Sequence, residues 1–333
     1  MSGRLVLGVD IGGTKVAAGV VNEAGEILSK VRVPMIPNDS AATAMDCVHR
    51  AIEAGMQSTL HPIDAIGIAS PGPLDPKRGV IINTPNLPCW RDFPLLAEIE
   101  ERYRLPVQLD NDANAAGLAE AIWGAGRNFD SVFYVTIGTG IGTAIILDKR
   151  IYHGRTGAAA EGGHMSIDMH APIACACGKH GCLESMASGP AIAARARAKL
   201  KSDPSSGILL RAMSGNGAIT AEMVCDAAEA KDPVANLVLL EIAELLSVWL
   251  GNVIDLLEPE VIVVGGGVAA GLIPWLPKIA DGLRRWTINT RANEIPLAPA
   301  KYGADSGIAG SAALCLSDRG ARISESVSGA ELS

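Results

Sequence analysis

Short apolar runs alternate with helical segments along this chain, and glycine-rich turns separate several of the runs. Residues 5–9 and 16–21 are apolar stretches of strand length, and the residues between them include Gly12 and Gly13. Two such runs joined by a glycine turn predict a β-hairpin. Residues 135–147 repeat the pattern, with Gly138-Thr139-Gly140 inside the second turn.

The repeat predicts a duplicated α/β protein with two similar lobes that face each other. Each lobe would offer one glycine turn to a nucleotide in the cleft. This arrangement resembles the two-lobed actin-like ATPase and sugar kinase (ribonuclease H-like) fold. We expect residues 1–112 to form a small N-terminal lobe, rejoined by a helix at about 303–316. Residues 113–302 would form the large lobe and residues 317–333 a flexible tail.

The remaining pattern predicts strands at 65–69, 107–109 and 261–264 and helices at 40–57, 189–201 and 234–257. Asp92 and Pro94 are expected to start a helix that runs to Arg102. The proline-rich stretch 83–90 indicates a substrate-side loop rather than a core element, and residues 203–217 indicate a loop-rich region.

Composition narrows the classes of function. The chain has 333 residues, 4% aromatic residues and a formal net charge of −8. The acidic balance argues against a nucleic-acid surface. Glu241, Glu244, Asn252 and Asp255 interrupt the apolar stretch 234–257, so we expect a buried helix and no membrane association. The start of the chain shows no signal-peptide pattern, which makes a cytoplasmic location the expectation.

A histidine and three cysteines lie in the stretch EGGHMSIDMHAPIACACGKHGCLE, which spans residues 161–184. Thiolates and an imidazole bind Zn²⁺ at about 2.0–2.3 Å, and four protein ligands make a closed structural site. Buried free thiols or a disulfide are the competing interpretations, and His170 and His180 compete for the fourth position. We favour the set in which Glu161 and Glu184 bracket the ligands: His164, Cys175, Cys177 and Cys182.

Three glycine-rich turns are candidates for nucleotide binding, because backbone N–H groups without a neighbouring Cβ can approach phosphate oxygens. Asp10 is placed to hold Mg²⁺ through water. The turn after residue 264 would receive the adenosine, although it also approximates a dinucleotide fingerprint. The candidate nucleotide-binding residues are Asp10, Gly12, Gly13, Thr14, Lys15, Gly138, Thr139, Gly140, Gly265, Gly266 and Gly267.

An acidic turn follows the strand at 107–109. Its sequence is Asp110-Asn111-Asp112, and an alanine-rich helix comes next. A kinase needs in-line positioning, charge neutralisation by Mg²⁺ and a base for the hydroxyl proton. Asp112 is our candidate base, and we expect the helix N-terminus to keep it ionised with an ordinary low pKa. A helix N-cap is the alternative role, and Asp305 is a rival base along with Asp110.

These residues resemble those of the ROK family, which groups bacterial glucokinases, N-acetylmannosamine and N-acetylglucosamine kinases and sugar-responsive repressors. The resemblance rests on CxCGxxGCxE at 175–184, ExGH at 161–164, DNDANAA at 110–116 and the glycine turns. It covers nearly the whole chain. Cys89 and Gly162 depart from the family pattern, which affects substrate preference more than reaction type.

The resemblance implies a hexose kinase that phosphorylates the 6-hydroxyl of glucose with Mg-ATP, contains a structural zinc and assembles as a homodimer or tetramer. N-acetylmannosamine and N-acetylglucosamine remain alternative substrates, polyphosphate an alternative donor and a sugar-sensing regulator an alternative function. A regulator would need an N-terminal helix-turn-helix, for which we expect no room before residue 5. The sugar-site candidates are Gly72, Asn86, Asn111, Asp112, Glu161, His164 and Glu184.

Overall fold

A computed structural model describes residues 3–201, 206–213 and 217–316. Its strands are β1 (Leu5–Ile11), β2 (Lys15–Asn22), β3 (Ile27–Pro34), β4 (Ala65–Ser70), β5 (Leu74–Asp75), β6 (Val80–Asn83), β7 (Arg91–Phe93), β8 (Val107–Asn111), β9 (Ser131–Ile137), β10 (Ile141–Leu147), β11 (Arg150–Ile151), β12 (Val261–Gly265) and β13 (Leu297–Pro299). The expected tail at 317–333 and parts of the expected loop at 203–217 lie outside the described residues.

The helices are α1 (Ala41–Gln57), α2 (Leu95–Tyr103), α3 (Asp112–Trp123), α4 (Leu183–Ala187), α5 (Gly189–Leu200), α6 (Gly207–Met213), α7 (Ala221–Glu229), α8 (Pro233–Leu257), α9 (Ala269–Leu272), α10 (Leu276–Leu283) and α11 (Ser306–Leu316). Short 3-10 turns lie at Gly162–His164, Ile273–Trp275, Ala292–Glu294 and Gly303–Asp305. The helix α6 therefore occupies part of the region predicted to be loop-rich.

The chain divides into two compact units. Unit 1 contains Met1–Arg127, Ile146–Ala159 and Asp305–Ser333, and unit 2 contains Asn128–Ile145 and Ala160–Ala304. From the sequence we expect the N-terminal lobe to end at residue 112, whereas unit 1 continues to Arg127 and includes α3. The structure differs because α3 packs against α11, where Gly310 lets the two helix backbones approach closely. A stretch from the middle of the chain also belongs to unit 1, which the local pattern did not indicate.

Unit 1 is built on the sheet β3-β2-β1-β4-β8, in which β1 to β3 are antiparallel and β1, β4 and β8 are parallel. Alternate residues of β1 point to opposite faces, as the pleat requires. Leu7 and Val9 enter the core that includes residues of α1, whereas Val6 packs with Ile308 of α11. The predicted first hairpin is confirmed, with a tip formed by residues 12–14.

The second five-stranded sheet has the order β11-β10-β9-β12-β13. It repeats the order of the first sheet. If the five strands of each sheet are numbered along the chain, both sheets have the order third, second, first, fourth, fifth. The strands β9, β12 and β13 are parallel. The duplication predicted from the two glycine turns is therefore confirmed at the level of strand order.

The helix α8 is the centre of the core of unit 2, where it packs against α4, α5, α7 and α10. Asp232 caps its N-terminus by accepting from the N–H of Ala235. By length and composition α8 could cross a membrane, but 61% of its most apolar window is buried inside the protein. This confirms the predicted buried helix, since a core helix satisfies the same composition test.

Candidate active site

The turn Asp110-Asn111-Asp112, here called the acceptor turn, joins β8 to α3 in unit 1. Asn111 is the N-cap of α3: its side-chain oxygen accepts from the N–H groups of Ala113 at 2.9 Å and Asn114 at 3.3 Å. The capping role that was an alternative for Asp112 thus belongs to Asn111. Asp112 is the first helical residue; the residue as a whole is exposed, while the protein around its carboxylate partly desolvates that group.

The expectation of an ordinary low pKa for Asp112 is wrong. Desolvation by the surrounding protein, together with the negative charge of Asp10, raises the pKa of Asp112 to about 6. Hydrogen bonds from the N–H of Ala113 and the side chain of Asn111 act in the opposite direction and are outweighed. A carboxylate with this pKa accepts a proton more readily than an ordinary aspartate and is still mostly ionised at neutral pH.

Asp10 lies at the end of β1, next to the first glycine turn. A Cβ at Gly307 would lie 2.2 Å from the Asp10 carboxyl carbon, so the carboxylate occupies space that only glycine leaves free. Burial raises the pKa of Asp10, and the charges of Lys15 and Arg32 partly oppose this rise. Two carboxylates that repel each other, and that Lys15 and Arg32 neutralise only in part, are a suitable environment for a hard divalent cation.

Two further segments of unit 1 lie near these groups. A Cβ at Gly72 would lie 3.5 Å from the Asn111 side-chain nitrogen, and a Cβ at Gly13 would lie 2.9 Å from the Asn86 carbonyl oxygen. Gly72 is thus beside the acceptor turn and Asn86 beside the first glycine turn. The stretch 83–90 is not purely a surface loop, however, because Leu87 and Trp90 are fully buried.

The second helix of unit 1 starts differently from the prediction. Residues 91–93 form the strand β7, and α2 begins after Pro94, with no side-chain hydrogen bond at the cap. The ring of Phe93 stacks on buried Trp90 at a centroid distance of 5.0 Å. Antiparallel pairing with β6 makes residues 91–93 a strand, so Asp92 is not a helix cap.

The acidic residue Asp110 of the acceptor turn is nearly buried and forms an unpredicted pair. Its Oδ2 lies 2.6 Å from Nε2 of His153, which follows β11. Its Oδ1 accepts from the N–H of Asn111 at 2.7 Å and from the side-chain amide of Asn114 at 2.9 Å. Asp305, the other rival base, forms ion pairs with Lys30 and Arg32. Neither rival is therefore as free to react as Asp112.

In unit 2, the second glycine turn borders a cavity of about 550 Å³. The N–H of Gly189 donates to the carbonyl of Gly138 at 2.8 Å, which brings the start of α5 against the turn. Gly267 and Val268 line the cavity on the side of β12. Gly266 has a φ of +99°, and a Cβ there would lie 2.4 Å from the carbonyl oxygen of Ile137, so the close approach needs glycine.

The predicted histidine and three cysteines converge in unit 2. One ligand atom from each of His164, Cys175, Cys177 and Cys182 lies within 4.8 Å of the others. His164 Nδ1 is 3.5 Å from the Cys175 sulfur, and the sulfurs of Cys177 and Cys182 are 3.6 Å apart. The last distance far exceeds the about 2.05 Å of a disulfide.

The donor set fits a thiophilic cation. A hydrogen bond from the N–H of Lys179 lowers the pKa of Cys177, whereas burial raises the pKa of Cys182 to about 12. A bound cation would offset the cost of ionising the buried Cys182 thiol, because the thiolate is the form that ligates metal. Three sulfurs and one imidazole nitrogen are a typical set for zinc.

The stretch 161–184, here called the cysteine loop, also carries two carboxylates. Glu161 is exposed and precedes the 3-10 turn that ends at His164. Glu184 Oε2 accepts from the N–H of Ile141 at 2.9 Å, and its Oε1 is 3.9 Å from His164 Nδ1. Glu184 therefore links the second glycine turn to the group of metal-ligand candidates.

Two residues that the sequence analysis missed hold the start of the cysteine loop. The fully buried Trp249 of α8 donates its indole N–H to the Gly162 carbonyl at 2.9 Å. The Thr143 hydroxyl donates to the Ala160 carbonyl and accepts from the Gly162 N–H at 2.9 Å. A Cβ at Gly162 would lie 2.9 Å from that hydroxyl oxygen, so the departure from the family pattern accommodates Thr143.

The duplicated sheet order, the glycine turn in each sheet and the acidic turn define the class: this is an actin-like ATPase fold. Within that class the chain belongs to the ROK family, whose model matches residues 6–318.

Three similar proteins illustrate the relationship. A glucokinase from Halalkalibacterium halodurans is 34% identical over 93% of this chain and 94% of its own length. An N-acetylmannosamine kinase from Yersinia pseudotuberculosis is 32% identical over 92% of this chain and 96% of its own length. The crystal structure of a ROK family glucokinase from Streptomyces griseus, in complex with glucose and AMPPNP, superimposes with a TM-score of 0.81. That protein is 36% identical, and the match covers 93% of this chain and 98% of the other.

Proposed function

We propose that this protein is a sugar kinase that transfers the terminal phosphoryl group of ATP to the 6-hydroxyl of a hexose, with glucose as the substrate. The observation that carries the proposal is the environment of Asp112. The residue is exposed and lies at a helix N-terminus, and the pKa of its carboxyl group is raised to about 6. The similarity to glucokinases over nearly the full length supports the choice of sugar.

In the proposed reaction, Asp112 accepts the proton of the 6-hydroxyl as that oxygen attacks the terminal phosphorus. The proton moves late in a loose transition state, so the base needs correct placement more than strong basicity. Asn111 and Gly72 would contact the sugar beside Asp112, since the Asn111 side chain and Gly72 are neighbours. Asn86 would complete this part of the site.

We assign the other sugar contacts to the cysteine loop. Glu161, His164 and Glu184 offer acceptors that match vicinal hydroxyl groups, and such polar contacts discriminate between sugars better than apolar contacts do. His164 would use Nδ1, which faces Cys175, for the metal and its other ring nitrogen for a sugar hydroxyl.

The nucleotide would occupy the cavity of unit 2. Gly138, Thr139 and Gly140 would bind phosphate oxygens, and the turn formed by Gly265, Gly266 and Gly267 would contact the adenosine. In unit 1, Gly12, Gly13, Thr14 and Lys15 would bind phosphate oxygens as well. Asp10 would hold Mg²⁺, which neutralises charge on the transferred phosphoryl group.

We assign zinc to His164, Cys175, Cys177 and Cys182, and its role is structural because four protein ligands leave no open position. The metal would hold the cysteine loop in the shape that presents Glu161 and Glu184. We further propose a cytoplasmic homodimer, with a tetramer as the alternative, in line with the expectations from the sequence.

A coupled assay of ADP formation across a panel of hexoses tests the proposal. We expect turnover with glucose, and no turnover with 6-deoxyglucose, which lacks the acceptor oxygen but should compete with glucose. Replacing ATP with polyphosphate tests the donor. If glucose is inert and N-acetylmannosamine is phosphorylated, the substrate assignment moves to the second kinase class, which the 32% identity to such an enzyme supports. Sugar binding without turnover of any sugar would favour a regulator.

A further inference from the structure

Asp110 is a nearly buried carboxylate that the proposed reaction does not use. Only 4% of the residue is exposed, and its two carboxylate oxygens have three hydrogen-bonding partners. Two of these partners are neutral: the N–H of Asn111 and the side-chain amide of Asn114. A buried carboxylate is costly unless it is also compensated by a cation or a strong donor.

His153 supplies that compensation. Its Nε2 lies 2.6 Å from Asp110 Oδ2, at the short end of charge-assisted hydrogen bonds, which are typically about 2.7–2.9 Å. The hydrogen bond to Asp110 raises the pKa of His153, which favours the cationic ring. A short turn presents the ring: the His153 carbonyl accepts from the N–H of Ala159 at 3.2 Å, and Gly154 has a φ of +66°.

The geometry connects His153 to the acceptor turn. Asp110 Oδ1 fixes the backbone of Asn111, and Asn111 in turn caps α3 immediately before Asp112. If the imidazole is removed, Asp110 must either take up a proton or turn toward solvent. In both cases the N–H of Asn111 and the amide of Asn114 lose part of their acceptor. The carboxylate of Asp112 would then shift with the turn that carries it.

We infer that His153 is a positioning residue for the phosphoryl acceptor site, which holds Asp110 and thereby sets the placement of Asn111 and Asp112. The inference rests on the proposed kinase function and adds to it a residue that lies outside every motif of the sequence. His153 does not touch the reacting atoms in this assignment. Its effect is on geometry, where a displacement of about 1 Å can lower a rate by about 100-fold.

The test compares three substitutions of His153 in the full chain. His153→Gln keeps a side-chain N–H near the position of Nε2. His153→Asn is polar but too short to reach Asp110, and His153→Ala removes the contact. We expect His153→Ala and His153→Asn to lower kcat for glucose about 10- to 100-fold and His153→Gln to restore most of it. The matched control is His61→Ala in the same unit, at an exposed position, which should leave kcat unchanged.

Nucleotide binding distinguishes a positioning role of His153 from a general loss of folded protein. Affinity for AMPPNP, normalised to the number of binding sites, should stay within about twofold of the unaltered chain for all three variants, because the glycine-lined cavity belongs to unit 2. Losses of kcat that track a lower number of nucleotide sites would overturn the inference. So would a His153→Gln variant as slow as His153→Ala.

The dependence on Asp110 gives a second test. In an Asp110→Asn background, which carries no buried charge to compensate, adding His153→Ala should change kcat less than twofold. Contacting residues that act together show such non-additivity. Fully additive losses contradict the pairing. If the unaltered chain phosphorylates no hexose, the proposed function fails; if it does and His153→Ala matches it, only the role of His153 fails.

Discussion

The acceptor turn and the cysteine loop carry the two sets of sugar-site candidates, and they are held in shape by different means. The acceptor turn is the junction of a parallel strand and a helix, and side chains within a few residues cap it. The cysteine loop has a 3-10 turn, two isolated β-bridges and little other regular structure before α4. Four convergent metal-ligand candidates take the place of backbone ladders there.

This difference has a thermodynamic consequence. The acceptor turn should keep its shape without a metal, as long as the sheet of unit 1 is folded and His153 holds Asp110, because its hydrogen bonds come from the fold itself. The cysteine loop should depend on the proposed zinc, because metal binding supplies the ordering free energy that a loop without secondary structure lacks. Substitutions in the first region should therefore change chemistry at nearly constant stability, whereas substitutions in the second should change stability and sugar affinity together.

The largest expected effect tests the first half of this comparison. Asp112→Asn removes the proposed proton acceptor and should lower kcat by about 10²- to 10⁴-fold, the usual contribution of a general base. The melting temperature and glucose affinity should change little, because Asn111 and not Asp112 caps the helix. Turnover by Asp112→Asn close to that of the unaltered chain would remove Asp112 from its role.

The second prediction concerns the metal. Cys177→Ser should reduce zinc from about one ion per chain to a small fraction of that, measured by elemental analysis. Glucose affinity should fall about 10- to 100-fold and the melting temperature should drop, since the loop loses its cross-link. Cys225→Ser is the matched control, because Cys225 is a buried thiol of unit 2 outside the ligand group. Unchanged glucose affinity in a zinc-free Cys177→Ser protein would separate the metal from the sugar site.

The third prediction uses the raised pKa of Asp112. The base must be deprotonated to act, so kcat/KM should be nearly constant above pH 7 and should fall about tenfold per pH unit below about 6. Measured against pH, the residual activity of Asp112→Asn should lack this transition. A profile that stays flat down to pH 5 would contradict both the pKa and the assignment of the base.

The smallest effect is expected at Trp249 and Thr143, which hold the start of the cysteine loop by hydrogen bonds. Trp249→Phe keeps most of the buried ring but removes one of the two donors to the Gly162 carbonyl, which still accepts from the N–H of Met165 at 3.1 Å; we expect a cost of about 1 kcal/mol. This should raise the KM for glucose about fivefold and leave nucleotide affinity unchanged. Thr143→Ser, which keeps the hydroxyl, should behave like the unaltered chain, whereas Thr143→Val should resemble Trp249→Phe. If the KM for glucose of all three variants equals that of the unaltered chain, the hydrogen bonds of Trp249 and Thr143 do not affect sugar binding.

Much of the fold could be predicted from local pattern. The two glycine-tipped strand pairs, the long helix α8 and the metal-ligand candidates all depend on residues that are close together in the sequence. Periodicity and ligand spacing are local properties, so no tertiary information was needed to find them. The repeated glycine turns predicted the duplication, whereas the strand order within each sheet came from the structure.

The errors arose where distant residues compete with local propensity. The stretch 83–90 is polar enough for a surface loop, but Leu87 and Trp90 find places in the core of unit 1. Likewise, α3 follows an acidic turn that resembled a boundary, yet its packing against α11 near the end of the chain places it in unit 1. Hydrophobic contact between remote segments decided both cases.

What the sequence determined by itself is the inventory of chemical groups and their local order: an aspartate after a strand, glycine turns, and one histidine with three cysteines. Tertiary structure alone decided how those groups are tuned and held. The pKa of Asp112 depends on Asp10, about a hundred positions away, and Asp110 and Gly162 depend on His153 and Trp249. Desolvation and hydrogen bonding act through space over a few ångströms, so the chain topology, and not the spacing along the sequence, decides which partners meet.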